Sequence, residues 1–196
     1  VELLAEIRKD EEVSIKFLPQ LQLEYQYWMA ATDREEATMQ ETARKNGENS
    51  YKKVVFVEES QLLNRYCDEA ATPRPEAYKE DIETAEISGR DKKEVYRHLR
   101  SGAESGWNYS SRWLADEKTL STIHTTDIIP VDLNALLYNL ERVLEKTYRI
   151  KEQTFYADNF KELIKKREKM ISKYCWNKEK TFYFDYDFVN KKQKEV

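Results

Sequence analysis

The chain is 196 residues long, with 40% apolar and 36% charged residues and a formal net charge of −4. That length suits one domain or a large piece of one, and with no basic block to neutralise phosphates, nucleic acid is not expected as a partner. No apolar run approaches the roughly 20 residues that span a bilayer, so no membrane partner is expected either.

The ending "KKQKEV" is basic but short and reads as a solvated tail. Nothing reads as a signal peptide. The chain opens at Val1, inside a helical pattern and without an initiator methionine, which points to a processed N-terminus or to part of a longer protein. Periplasmic, secreted and cytoplasmic placements all stay open. Cys67 and Cys175 form neither a disulfide framework nor a zinc spacing, and His98 and His124 lack ligand partners at useful spacing. No metal and no cofactor are therefore expected. Four glycines and four prolines favour long helices over a many-turned β protein. Thirteen tyrosines, seven phenylalanines and four tryptophans suit a core, or the flat walls of a sugar site.

From about Val13 to Ala31, Leu18, Leu21, Tyr25, Trp28 and Met29 recur at spacings of three and four, which predicts one amphipathic helix. Residues 32–50 are polar and end in the turn signal Asn46-Gly47, and read as a further helical turn or a loop. "KKVVFVEESQLLNRYCD" predicts a β-hairpin or a pair of extended segments. "TPRPEAYKEDIETA" opens a helix with Pro75 at its first position and Tyr78, Ile82 and Ala85 on its buried face. The next helix begins at Asp91, with Glu94 completing a capping box, and stops at Gly106. Asp132 reads as the N-cap of a helix striped by Leu133, Leu136, Leu137, Leu140 and Leu144. A last helix runs from about Phe155 to Tyr174 through Phe160, Leu163, Ile164, Arg167 and Ile171. "KTFYFDYDFV" then alternates like a short strand. There is no internal repeat. Helices with one apolar face each are expected to stack as antiparallel pairs.

Three stretches could carry chemistry. In "SGWNYSSRW" (105–113), Gly106 lets a ligand approach the backbone. Trp107, Tyr109 and Trp113 offer flat faces to a pyranose ring, and Asn108, Ser110, Ser111 and Arg112 offer donors and acceptors for hydroxyls. The competing reading is a helix end packed with aromatics, which composition alone favours. In "PRPE" (73–76), Arg74 and Glu76 at a rigid corner could clamp hydroxyls from two sides. Alternatively, Glu76 only answers the helix dipole and Arg74 is exposed. "TTDIIPVDLNALL" holds Asp127, whose role stays undecided, and Asp132, read as a cap.

Taken in order, "LPQLQLEYQYWM", "LLNRYCD", "TPRPEAYKEDIETA", "YRHLRSGAESGWNYSSRW", "TIHTTDIIPVDLNALLYNLE" and "KYCWNKEKTFYFDYDF" resemble the α,α-trehalase family of glycoside hydrolases over nearly the whole chain. The resemblance implies a mainly α fold, an (α/α)6 barrel of helical hairpins with one or two short β-hairpins. It also implies hydrolysis of trehalose to two glucoses with inversion and without a metal. One carboxyl protonates the bridging oxygen while a second, about 6.5–9.5 Å away, activates water. The family's Arg-Pro-Glu falls on Arg74, Pro75 and Glu76, its binding glycine on Gly106, and its catalytic aspartate on position 108, with Trp107 lining the same sugar-sized hollow. Position 108 here is Asn108, an amide that cannot deliver a proton. Glu104, four residues back, reads as structural.

Two explanations for Asn108 stay open: an introduced change that traps bound sugar, or a natural chain that has lost or relocated the acid. The family's Arg-rich N-terminal motif and the C-terminal segment with its base do not occur in these residues. The expectation is therefore one continuous segment, residues 1–196, from the central part of the catalytic domain, with no separate second domain. The remainder of the same enzyme is then a partner, and trehalose the small-molecule substrate. A non-catalytic sugar-binding protein derived from a trehalase is the alternative, and a helical scaffold without sugar affinity the third reading.

Overall fold

The computed structural model describes residues 1–58, 61–107 and 109–195. The chain divides into two units. The first is built from Val1–Leu63 and Asp132–Lys173, the second from Asn64–Val131 and Tyr174–Val196. Both are helical with small antiparallel sheets.

The first unit opens with α1 (Glu2–Arg8), α2 (Glu12–Lys16) and α3 (Leu18–Trp28). The single helix expected from Val13 to Ala31 is therefore broken at Phe17. The cause is Pro19, the second residue of α3, which has no N–H to continue the ladder from the preceding turn. The polar stretch after it resolves as a helix, α4 (Arg34–Lys45). The Asp33 carboxylate accepts from the Glu36 backbone N–H at 2.8 Å, and the Glu36 carboxylate accepts from Thr32 N at 2.8 Å. The first bond satisfies a donor that the first turn would leave open, and the second ties the residue before the cap back to the helix. Gly47, at φ +79°, lets the chain leave the helix in a left-handed conformation.

β1 (Ser50–Tyr51), β2 (Val54–Glu58) and β3 (Gln61–Asn64) form a sheet in that order, with Ser50 opposite Val55 and Tyr51 opposite Val54. The predicted hairpin is β2 and β3; β1 is an added strand. The helices α7 (Val131–Ile150) and α8 (Thr154–Tyr174) complete the unit. Leu18, Leu144, Tyr148 and Ala157 form its buried cluster, with Leu21, Tyr25, Leu140 and Phe160 packed against it. Leu136 breaks the expected stripe at 66% exposure. Asp132 is not the cap of α7 but lies inside its first turn, where a carboxylate still opposes the positive end of the helix dipole.

Arg167, read as part of an apolar stripe, is buried and donates to Glu141 Oε1 at 2.9 Å and Asn134 Oδ1 at 3.0 Å. Tyr25 donates to the same Glu141 oxygen at 3.3 Å.

The second unit carries a 3-10 turn at Pro75–Ala77, then α5 (Tyr78–Ser88) and α6 (Lys92–Glu104), which pack on each other. Asp91 caps α6, accepting from Glu94 N at 3.0 Å. The Glu94 carboxylate accepts from Arg90 at 2.5 Å, so the expected reciprocal half of the capping box is replaced by an ion pair. Ala85 is buried as expected, but Tyr78 is 59% exposed and Asp81 takes its place on the buried face of α5. Three further 3-10 turns (Ser111–Trp113, Leu120–Thr122, Thr125–Asp127) lead to β4 (Ile128–Ile129).

The last part of the chain is two hairpins rather than one strand. β5 (Trp176–Asn177) pairs with β6 (Phe182–Tyr183), and β7 (Asp185–Asp187) lies between β4 and β8 (Lys192–Lys194). On β7, Asp185 and Asp187 point to one buried side while Tyr186 alternates away. Leu99, Trp113, Ile123, Ile128 and Ile129 fill the core. Among the described residues, no helix is long and apolar enough to cross a membrane, and no group of three or more His, Cys, Asp or Glu side chains is placed to hold a metal ion.

Candidate functional site

The residues expected to bind sugar all lie in the second unit. Arg74 precedes a proline, so its backbone is held extended at ψ 138°. Pro75 then starts the 3-10 turn, and Ala77 N closes it on the Arg74 carbonyl at 3.2 Å. This corner brings Asp81, on the first full turn of α5, back onto Arg74. One Asp81 oxygen accepts from Arg74 N at 2.9 Å and Nε at 3.0 Å, and the other accepts from Nη2 at 2.6 Å. Asp81 is 1% exposed, so the guanidinium is held by a fork on a rigid, buried base. Its other face lies 5.0 Å from the Tyr109 ring centroid.

The charges here are coupled. The bond to Asp81 raises the Arg74 pKa against the opposing effect of burial. Burial pushes the Tyr109 hydroxyl up to about 12; Arg74 eases this, while Asp81 and Glu76 add to it. Glu76 itself is exposed on the 3-10 turn. The corner thus presents a fixed cation beside a carboxylate, with a neutral phenol behind them. That set can grip hydroxyl groups from two sides.

Tyr109 links this corner to the loop that carries the other candidates. Its hydroxyl donates to the Leu99 carbonyl at 3.1 Å. Its ring rests on α6 at Gly102, where an added Cβ would sit 3.1 Å from Tyr109 Cε1 and 3.4 Å from Thr125 Oγ1. Gly106 follows the end of α6 at φ +74°, and nothing lies within 4 Å of where its Cβ would be. A glycine is therefore needed there for the backbone conformation and not for space.

Trp107 is 53% exposed. Arg112 lies beneath it, its guanidinium 5.0 Å from the Trp107 ring and 4.5 Å from that of buried Trp113. Asn108, the position matched to the family's acid, lies outside the described residues. Of the residues singled out from the sequence, Arg74, Glu76 and Tyr109 lie at this corner, and Gly106 and Trp107 on the loop after α6. Asp81, Gly102 and Asp185, which contact Arg74, Tyr109 and Arg112, carried no expectation. Only the buried, carboxylate-bearing face of α5 and the two-residue spacing of acids in "DYD" could have signalled the acidic pair.

Asp127, left undecided by its sequence, belongs to another cluster in this unit. Burial and the neighbouring Asp187 raise its pKa to about 6 against the pull of Arg65. His98 receives the Thr126 backbone N–H at 3.3 Å, and His124 lies 3.8 Å from Asp187. Burial lowers both imidazoles to about 4. His98 and His124 are buried in this unit and Asp127 is half-buried.

A family model described as Trehalase matches residues 1–196. The chain is 44% identical over 193 residues to the periplasmic trehalase of Citrobacter koseri, 42% to that of Shigella flexneri and 41% to that of Escherichia coli O8. Each alignment covers 98% of this chain and 32% of the relative. The chain therefore spans about a third of the length of the curated relatives it matches.

Proposed function

Since this chain belongs to the trehalase family, we propose that it forms the part of an inverting α,α-trehalase that grips its sugar, within an (α/α)6 barrel built together with the remainder of the same enzyme. The single observation that carries this reading is the Arg74 corner. A guanidinium fixed by two bonds to a buried carboxylate that also takes the Arg74 backbone N–H, and backed by Tyr109, is preorganised for hydroxyl recognition rather than for solvent. Arg74, Pro75 and Glu76 would hold one glucose, with Gly106 and Trp107 forming the wall beside it. Trp107 would supply the stacking face.

Position 108 is assigned the general acid. With Asn108 there, the amide can hydrogen-bond the bridging oxygen but cannot protonate it, so the protein should bind trehalose without turning it over. The base that activates water would come from sequence outside these 196 residues. No metal or cofactor takes part in this scheme, and neither nucleic acid nor membrane is a partner in it.

Calorimetry with trehalose on the full-length protein tests the grip. Arg74→Ala should weaken binding by about 10–100-fold, the loss of charge-assisted hydrogen bonds. Glucose release tests the chemistry: Asn108→Asp should restore it. Binding that survives Arg74→Ala refutes the grip. Binding without release in Asn108→Asp favours instead a non-catalytic sugar-binding protein derived from a trehalase.

A further inference from the structure

A second arginine is held by a carboxylate as tightly as Asp81 holds Arg74. Arg112, on the 3-10 turn Ser111–Trp113, donates from Nε to Asp185 Oδ2 at 2.8 Å and from Nη2 to Asp185 Oδ1 at 2.7 Å. Asp185 is 7% exposed and lies on β7, between β4 and β8. Its Oδ1 also accepts the Val131 backbone N–H at 2.9 Å. The carboxylate is thus fixed from two directions, and the plane of the guanidinium is fixed with it. Two indoles contact this cation: Trp113, fully buried, at 4.5 Å and Trp107, half exposed, at 5.0 Å. The Trp107 backbone N–H donates to Ser105 Oγ at 3.1 Å, a bond that ties the loop after Gly106 but does not set the torsions of the ring itself.

We infer that Arg112 and Asp185 form a positioning pair for the site: strand β7, through Arg112, sets the orientation of the Trp107 ring against which a sugar ring stacks. The inference rests on the proposed sugar-binding reading and deepens it. Neither side chain need touch the substrate. A lysine at 112 keeps the charge but loses the two-point fork and the flat face that lies against the indole. An asparagine at 185 keeps the shape and loses the charge.

The test uses the full-length protein and trehalose, with binding followed by calorimetry and by tryptophan emission. Arg112→Lys and Asp185→Asn should each weaken binding by about tenfold and alter the emission change on binding, as expected for losing an aromatic–cation contact and a preorganised wall. Their double variant should be no worse than the worse single, because both break one contact. Trp107→Phe should remove most of the emission change and make Arg112→Lys nearly silent for affinity.

A purely structural role predicts a lower Tm with unchanged affinity and emission at 25 °C, and that result overturns the inference. So does an effect of Arg112→Lys that is equally large in the Trp107→Phe background. If Arg112→Lys fails to fold, Asp185→Asn read against Trp107→Phe decides in the same way. Arg74→Ala separates the two readings. Loss of binding in Arg74→Ala with full binding in Arg112→Lys and Asp185→Asn refutes only the positioning pair. Full binding in Arg74→Ala refutes the sugar site beneath it.

Discussion

Replacing Gly102 by alanine should disturb the site from a distance. Gly102 is inside α6 and buried, with its added Cβ 3.1 Å from Tyr109 Cε1, 3.3 Å from Cδ1 and 3.4 Å from Thr125 Oγ1. Two effects oppose each other. Alanine in a helix interior is favoured over glycine by about 1 kcal/mol. Overpacking a filled site costs about 1–3 kcal/mol.

The second effect should win here because the ring has no easy retreat. The Tyr109 hydroxyl is tied to Leu99 O at 3.1 Å, and Arg74 covers its face. The net cost is then about 1 kcal/mol, a fall in Tm of about 2–4 °C for a chain of this size. The effect on function should be larger in proportion, since a ring that shifts by a few tenths of an ångström weakens its contact with the Arg74 guanidinium, which Asp81 holds in place. Trehalose affinity should fall by about tenfold. Thermal unfolding followed by circular dichroism reads the first quantity and calorimetry the second. A Gly102→Ala protein that melts higher and binds normally would show that Tyr109 is free to move and that the Gly102–Tyr109–Arg74 stack does not exist.

Asp81→Asn should cost about 1–3 kcal/mol of stability, because the half-buried Arg74 would lose its counter-charge and one of its three bonds to residue 81; a denaturation midpoint unchanged from the parent would refute this. Arg167→Met in the first unit should cost about 3–5 kcal/mol by stranding Glu141 in the interior, and Arg167→Met combined with Glu141→Leu should recover most of it, as measured by urea unfolding. Acid should weaken the second unit through its histidines. His98 and His124 have folded pKa values lowered from 6.5 to about 4, so their contribution is present above pH 6.5 and is lost as pH falls toward 4. Asp127, raised from 3.8 to about 6, works the other way: its contribution is complete below pH 3.8 and is lost as pH rises through 6. Two imidazoles against one carboxylate leave a net loss of about 2–4 kcal/mol between pH 6.5 and 4. Imidazole NMR titrations with midpoints near 6.5 would contradict that account.

Local rules made much of this protein legible from its residues. The α7 and α8 stripes, the Asp91 cap, the proline-opened turn at Pro75 and the left-handed glycine after α6 all follow from periodicity and backbone chemistry, which act within a few residues. Pro19 shows the same reach: its missing N–H breaks a helix that the apolar spacing alone would have run through. The motif order pointed to the family, and with it to Arg74, Glu76, Gly106 and Trp107.

What only the tertiary structure decided was which charges meet. Asp81 lies seven residues from Arg74, and Asp185 lies 73 from Arg112. Whether a carboxylate is an exposed solubiliser or a buried anchor depends on what the rest of the chain places over it. Leu136 and Tyr78 faced solvent, and Arg167 and Asp81 went inside, for the same reason. Burial is a property of the packed surface around a residue, and an ion pair in the interior is stable only when geometry supplies every partner at once.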